Sequence, residues 1–111
     1  MQQTSSQPSE DLALRLKLAE YEIPSHTLTN IFFVVGTPTL TFSGMAREKE
    51  GAEIMRVLNR LVEETAIAYE AVDVSGNHSS GQCTIINLKF EEITTRPRII
   101  LFTGELVQPF G

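Results

Sequence analysis

Tryptophan is absent, cysteine occurs once, and no apolar run is long, so several classes of protein drop out at the start. The lone Cys83 permits no internal disulfide, which excludes a disulfide-stapled scaffold and fits a reducing compartment. The longest uninterrupted apolar run, Ile31-Phe32-Phe33-Val34-Val35, is far shorter than a bilayer-spanning helix needs. Residues Met1 to Pro8 are polar, with no basic region and no apolar core, so they do not read as a signal peptide. A cytoplasmic chain is the expectation, and the glycosylation sequon Asn77-His78-Ser79 is then accidental. Basic residues are also few: nine Lys and Arg stand against fourteen Asp and Glu, a net charge of −5. Phosphate neutralisation needs a basic face. The densest basic spot here is only Arg96-Pro97-Arg98, so nucleic acid and anionic membrane are disfavoured as partners.

What remains suits one globular domain. The chain has 111 residues, 41% hydrophobic and 21% charged, enough for one core built from Leu, Ile, Val and Phe. Residues 1–8 are expected to be a flexible segment and residues 9–111 a single domain. Ser9 has the character of a helix N-cap, with Glu10 and Asp11 in the first turn. Leu12, Leu16 and Ala19, with Leu14, Leu18 and Tyr21 beside them, form an apolar stripe at helical spacing. The same leucines also alternate as in a strand. The helix-forming Leu, Ala, Arg, Lys and Glu favour a helix ended by Pro24.

Beyond Pro24 the pattern changes. Thr27–Val35 and Thr39–Ser43 read as a β-hairpin turning at Gly36-Thr37-Pro38. From near Arg47 to Thr65 the spacing of Ile54, Leu58, Leu61 and Thr65 predicts an amphipathic helix, with Gly51 an awkward occupant of its first part. Ile67–Val74, Cys83–Ile93 and Arg98–Thr103 read as three further strands, and Ser75–Gly81 as a loop. Ile99-Ile100-Leu101-Phe102 is apolar on both faces and should be a central strand. The expected fold class is therefore α+β, in the order α-β-β-α-β-β-β, an antiparallel sheet with helices packed on it.

Chemistry-bearing motifs are scarce. The sequence contains no phosphate-binding loop, dinucleotide fingerprint, HExxH, CxxC or GxSxG. His26, His78 and Cys83 are too few for a structural zinc site, so no metal or cofactor is expected. Asp73, His78 and Ser79 hold the residue types of a nucleophilic triad, but they fall in a Gly/Ser loop with no visible oxyanion element. Cys83 opens a strand and reads as a small buried hydrophobe. No catalytic residue is assigned.

The order of elements resembles the Roadblock light-chain family, whose sheet is profilin-like. The segment Ile31-Phe32-Phe33-Val34-Val35-Gly36-Thr37-Pro38-Thr39-Leu40-Thr41-Phe42-Ser43-Gly44 is similar to that family's hairpin, and Ala52–Thr65 to its long helix. Val35 stands where Asp or Asn is usual. The resemblance implies a non-enzymatic dimerising adaptor or scaffold in a larger complex, of the small-GTPase-regulating or motor and trafficking type. Its partner would be a second copy or another protein. Met55, Asn59 and Val62 on the helix and Tyr69 on the next strand would form the interface. A second resemblance is to the nuclear-transport-factor-two-like fold, carried by Leu40-Thr41-Phe42-Ser43-Gly44 and Gly51-Ala52-Glu53-Ile54. It implies a cone-shaped cavity domain that binds a small molecule, catalyses a simple reaction or serves mRNA export. Tyr69, Asp73 and His26 would be its inward polar residues.

Overall fold

The computed structural model describes residues 14–108. The expected N-cap at Ser9, the acidic first turn and the flexible segment 1–8 lie outside that range, as do Leu12 and Pro109. Within it the chain forms β1 (Arg15–Leu18), β2 (Tyr21–Ile23), a 3-10 turn (Ser25–Thr27), β3 (Leu28–Phe33), β4 (Thr39–Arg47), α1 (Glu48–Leu61), β5 (Ile67–Val72), β6 (His78–Ile93) and β7 (Ile99–Val107). All strand pairings are antiparallel, in one seven-stranded sheet of order β2-β1-β5-β6-β7-β4-β3.

The expected α+β architecture is thus corrected: the described chain is mostly sheet, with a single α-helix. The opening helix is replaced by the β1–β2 hairpin. Leu16 and Leu18 point inward while Arg15 is exposed and Lys17 half-buried, the alternation of a strand with one wet face. Pairing decides the conflict between helical propensity and alternation. Leu16 lies opposite Ala71 and Leu18 opposite Tyr69 on β5, and a helix could not bury both leucines against that strand. The hairpin turns at Ala19-Glu20, with Ala19 at φ 57, so no Gly or Asn marks the turn in the sequence.

β6 organises the rest. Its first part, His78–Cys83, pairs with β5, and its remainder, Thr84–Ile93, pairs with β7. The strand therefore passes from one wing of the sheet to the other. Asn87 takes φ 54 where the register to β7 shifts between Ile86 and Lys89, so the strand carries a bulge there. The first wing is β2-β1-β5 with the start of β6. The second is the remainder of β6 with β7, β4 and β3.

The inner faces of both wings contribute to one core, with Leu16, Leu18, Ile67 and Cys83 from the first and Leu40, Phe42, Phe102 and Leu106 from the second. Helix α1 presses Ile54, Val57, Leu58 and Leu61 into the same core, as its 3-4-7 spacing predicts. A Cβ on Gly51 would stand 3.1 Å from Ile100 and 3.2 Å from the Ala46 carbonyl, so this glycine lets the helix backbone lie close on β4 and β7. Apolar side chains fill the inner face, where the cone-shaped alternative called for a lined cavity. The stretch Ser75–Gly81 is only in part a loop, since residues 78–81 pair with β5. β7 runs straight through Gly104 to Val107 and is an interior strand, as its apolar sequence predicts.

Candidate interaction face

Asp73 and Tyr69, singled out in the sequence, serve the fold. The Asp73 carboxylate is buried and accepts backbone N–H bonds from Ser75 and Asn77, both at 2.9 Å, which closes the β5–β6 turn. Tyr69 is buried in the interior strand β5, between Leu18 of β1 and Gly81 of β6. Its hydroxyl accepts from the Gln108 amide and shares a hydrogen bond with the Ser79 hydroxyl at 2.6 Å. His26 is exposed at the 3-10 turn, 2.8 Å from Glu50 on α1. His78 is exposed at the start of β6. Cys83 is fully buried, and burial pushes its thiol pKa up to about 11, far from a reactive thiolate. Among the described residues no group of three or more His, Cys, Asp or Glu is placed to hold a metal ion. No described helix is long and apolar enough to cross a membrane.

The expected interface set divides. On α1, Asn59 is exposed and Met55 is half-buried; Val62, just past the helix end, is half-buried and packs against the core. Tyr69 stands apart from them in the core. The strand after the helix is not at a sheet edge: β5 is covered by β1 on one side and β6 on the other. The edge strands are β2 and β3.

The outer faces of the two wings differ in chemistry, a contrast that the sequence pattern does not reveal. On the first wing Lys17 lies between Glu22 of β2 and Glu70 of β5, and Ala68 lies opposite Gln82. Arg15 forms a 3.0 Å ion pair with Glu22. This is a solvated, charge-mixed face. The second wing turns outward Met45 and Leu101, opposite each other on β4 and β7, with Ile99 and Ile93 one step along. Toward the other end of the strands Ile86 and Phe32 stand at opposite margins of the wing, with Glu105 and Thr41 between them in the same row and Val107 one step along. Met45 is 47% exposed, Phe32 39% and Ile86 38%. Leu101, Ile99, Ile93 and Val107 are half-buried. Between the two apolar groups runs a polar band of Lys89, Thr103, Ser43 and Asn30. Helix α1 does not cover this face, because it lies against Ala46 and Ile100, which point the other way.

The sequence carries half of the signal. Ile99-Ile100-Leu101-Phe102 is apolar on both faces, the pattern of a strand covered on both sides. Only the inner set, Ile100 and Phe102, is buried. The chain matches no protein-family model, no curated protein and no solved structure.

Proposed function

We propose that the chain is a non-enzymatic interaction subunit that binds protein through the outer face of its second wing. The observation that carries this reading is the contrast between the two outer faces. A wet antiparallel face is normally polar, as the first wing is. Exposed apolar side chains gathered on one face and bordered by charge are the usual mark of a protein contact surface. Here Arg47, Glu91, Lys89 and Glu105 border or interrupt the apolar groups. The polar side chains weighed for catalysis are occupied elsewhere: Asp73 closes a turn, and Tyr69 ties β5 to Ser79 and Gln108.

The Roadblock-type adaptor role called for an opening helix and a free strand after the long helix. With a hairpin and an interior strand in those places, nothing in the fold favours a small GTPase over any other partner. The test is co-expression of tagged and untagged copies, followed by purification on the tag. A stoichiometric companion, either the untagged copy or a second protein, is the expected result. A tagged chain that emerges alone, with no companion at comparable yield, would contradict the reading.

A further inference from the structure

We infer that the occupant of this face is a second copy of the same chain, packed sheet on sheet about a two-fold axis that runs along the strands between β4 and β7. The inference rests on the interaction-subunit reading and names its partner. It follows from the placement of residues. Such an axis sets β4 of one copy over β7 of the other, and β3 over the bulged part of β6, row by row.

In register, Met45 then faces the partner copy's Leu101, and Leu101 its Met45. Ser43 faces Thr103, and Thr39 faces Val107. Phe32 falls over the bulge at Ile86. Met45–Leu101 and Phe32–Ile86 set apolar against apolar and Ser43–Thr103 sets hydroxyl against hydroxyl, while Thr39–Val107 is mixed.

The charges discriminate between geometries. About this axis Arg47 meets Ile99, Glu105 meets Thr41, and Lys89 meets Asn30, so no two like charges oppose each other. An axis across the strands through the polar band would set Lys89 against its own copy and Met45 against Thr41. That arrangement is disfavoured twice. The outer face of the first wing has only Ala68 and the buried Val72 to offer either orientation.

The area is sufficient. Three of its four strands are nine or ten residues long and β3 is six, so the face spans roughly 30 Å by 14 Å, plus roughly 20 Å by 5 Å for β3. Pairing two such faces buries about 1,050 Å² in total, at the roughly 1,000 Å² that a specific interface needs. Two packed sheets lie about 10 Å apart with strands within about 30° of each other, which keeps these rows in opposition near the axis.

The experiment is a charge swap read by native mass spectrometry. Met45→Lys and Leu101→Glu each place a charge opposite an apolar side chain twice per dimer. Each variant alone should associate about a hundredfold or more weaker than the unsubstituted chain. Mixed together, they should form a heterodimer in which the two introduced charges, of opposite sign, meet across the axis and the other Met45–Leu101 contact is intact. Met45 is exposed and Leu101 half-buried on the outer face, so circular dichroism should match that of the unsubstituted chain, and the urea midpoint of Met45→Lys should match when measured below the concentration at which that chain associates. If either variant fails to fold, peroxide oxidation of the unsubstituted chain replaces the swap. Met45 sulfoxide should then form more slowly as chain concentration rises, with half-buried Met55 on the helix as the internal reference. Variants that dimerise like the unsubstituted chain, or a Met45 oxidation rate independent of concentration in a chain that does associate, would overturn this face, both here and in the proposed function, and leave only the interaction-subunit role. A strictly monomeric chain that co-purifies with another protein would overturn self-pairing alone. A monomer with no companion would overturn both.

Discussion

Two phenylalanines and two glycines fix the closest approach in the core. Phe42 lies opposite Gly104 and Gly44 opposite Phe102 across the β4–β7 ladder. Each ring lies over the glycine of the other strand: a Cβ on Gly104 would stand 2.7 Å from Phe42, and one on Gly44 would stand 2.2 Å from Phe102. The ring centroids are 6.4 Å apart and tilted by 50°, a favourable aromatic geometry. Gly44 is boxed in further by the Thr27 carbonyl at 2.5 Å, which cannot swing aside as a ring can. Gly104→Ala should therefore cost about 1–3 kcal/mol by overpacking, and Gly44→Ala more. Urea midpoints of the two variants check this; midpoints equal to the unsubstituted protein would mean that the rings do not sit over the glycines. The opposite sign is expected at Ala19, held at φ 57 in a two-residue hairpin turn. Ala19→Gly removes the steric penalty of that conformation and should stabilise the domain by about 1 kcal/mol, less the extra entropy of the unfolded chain. A lower urea midpoint for Ala19→Gly would argue against this turn. The same residue explains why the opening hairpin was not legible: an Ala-Glu turn carries no turn signal, and without one the leucines read as a helix.

At the scale of elements, helix α1 was the most legible part of the chain. Its apolar stripe is long, regular and buried as the spacing requires, with Ile54 and Leu58 fully inaccessible. Leu58→Ala should leave a cavity and cost about 2–5 kcal/mol. Arg56 is solvent-exposed, with only a 4.0 Å contact to Glu53, and Arg56→Ala should change stability by less than about 0.5 kcal/mol. Paired urea melts decide between the faces; equal midpoints would mean that the helix is turned the wrong way. The β3–β4 hairpin was legible for a similar reason, because alternation and a Gly36-Thr37-Pro38 turn agreed. β6 was legible only from Cys83 onward. Its first residues, His78-Ser79-Ser80-Gly81, have loop chemistry and become strand because β5 lies alongside. Tyr69 shows the same limit from the other side. A tyrosine on a strand can serve a surface or a core, and the choice was made by Ser79 and Gln108, residues 10 and 39 positions away.

Two acidic groups link the whole molecule's stability to alkaline pH. Burial pushes Cys83 from its ordinary 9.0 up to about 11. Burial, reinforced by Glu53 and Glu50 and partly offset by Arg56, also raises Tyr21, whose hydroxyl is buried without a hydrogen-bond partner. In both cases the unfolded chain ionises first, so it holds fewer protons than the folded chain once pH passes the unfolded pKa. Stability from Cys83 is therefore complete below pH 9.0 and declines as pH rises toward about 11, and Tyr21 adds to the fall above its ordinary 10.0. Urea midpoints measured from pH 8 upward should decline, and Cys83→Ser should remove part of the slope. A midpoint flat through that range would contradict the burial of both groups.

The molecule as a whole presents one charge-mixed outer face and one outer face on which apolar side chains stand among polar ones, and only the apolar run of β7 announced that asymmetry in the sequence. It arises because β4, β6 and β7 each keep apolar residues on the side that the helix leaves uncovered. Sedimentation equilibrium of the intact chain over a wide concentration range tests this most directly. A single reversible rise in mass from 12.3 kDa toward twice that value, with little dependence on salt, is the expected result. A mass fixed at 12.3 kDa at every concentration, in a chain that is folded by circular dichroism, would contradict self-pairing through the apolar face.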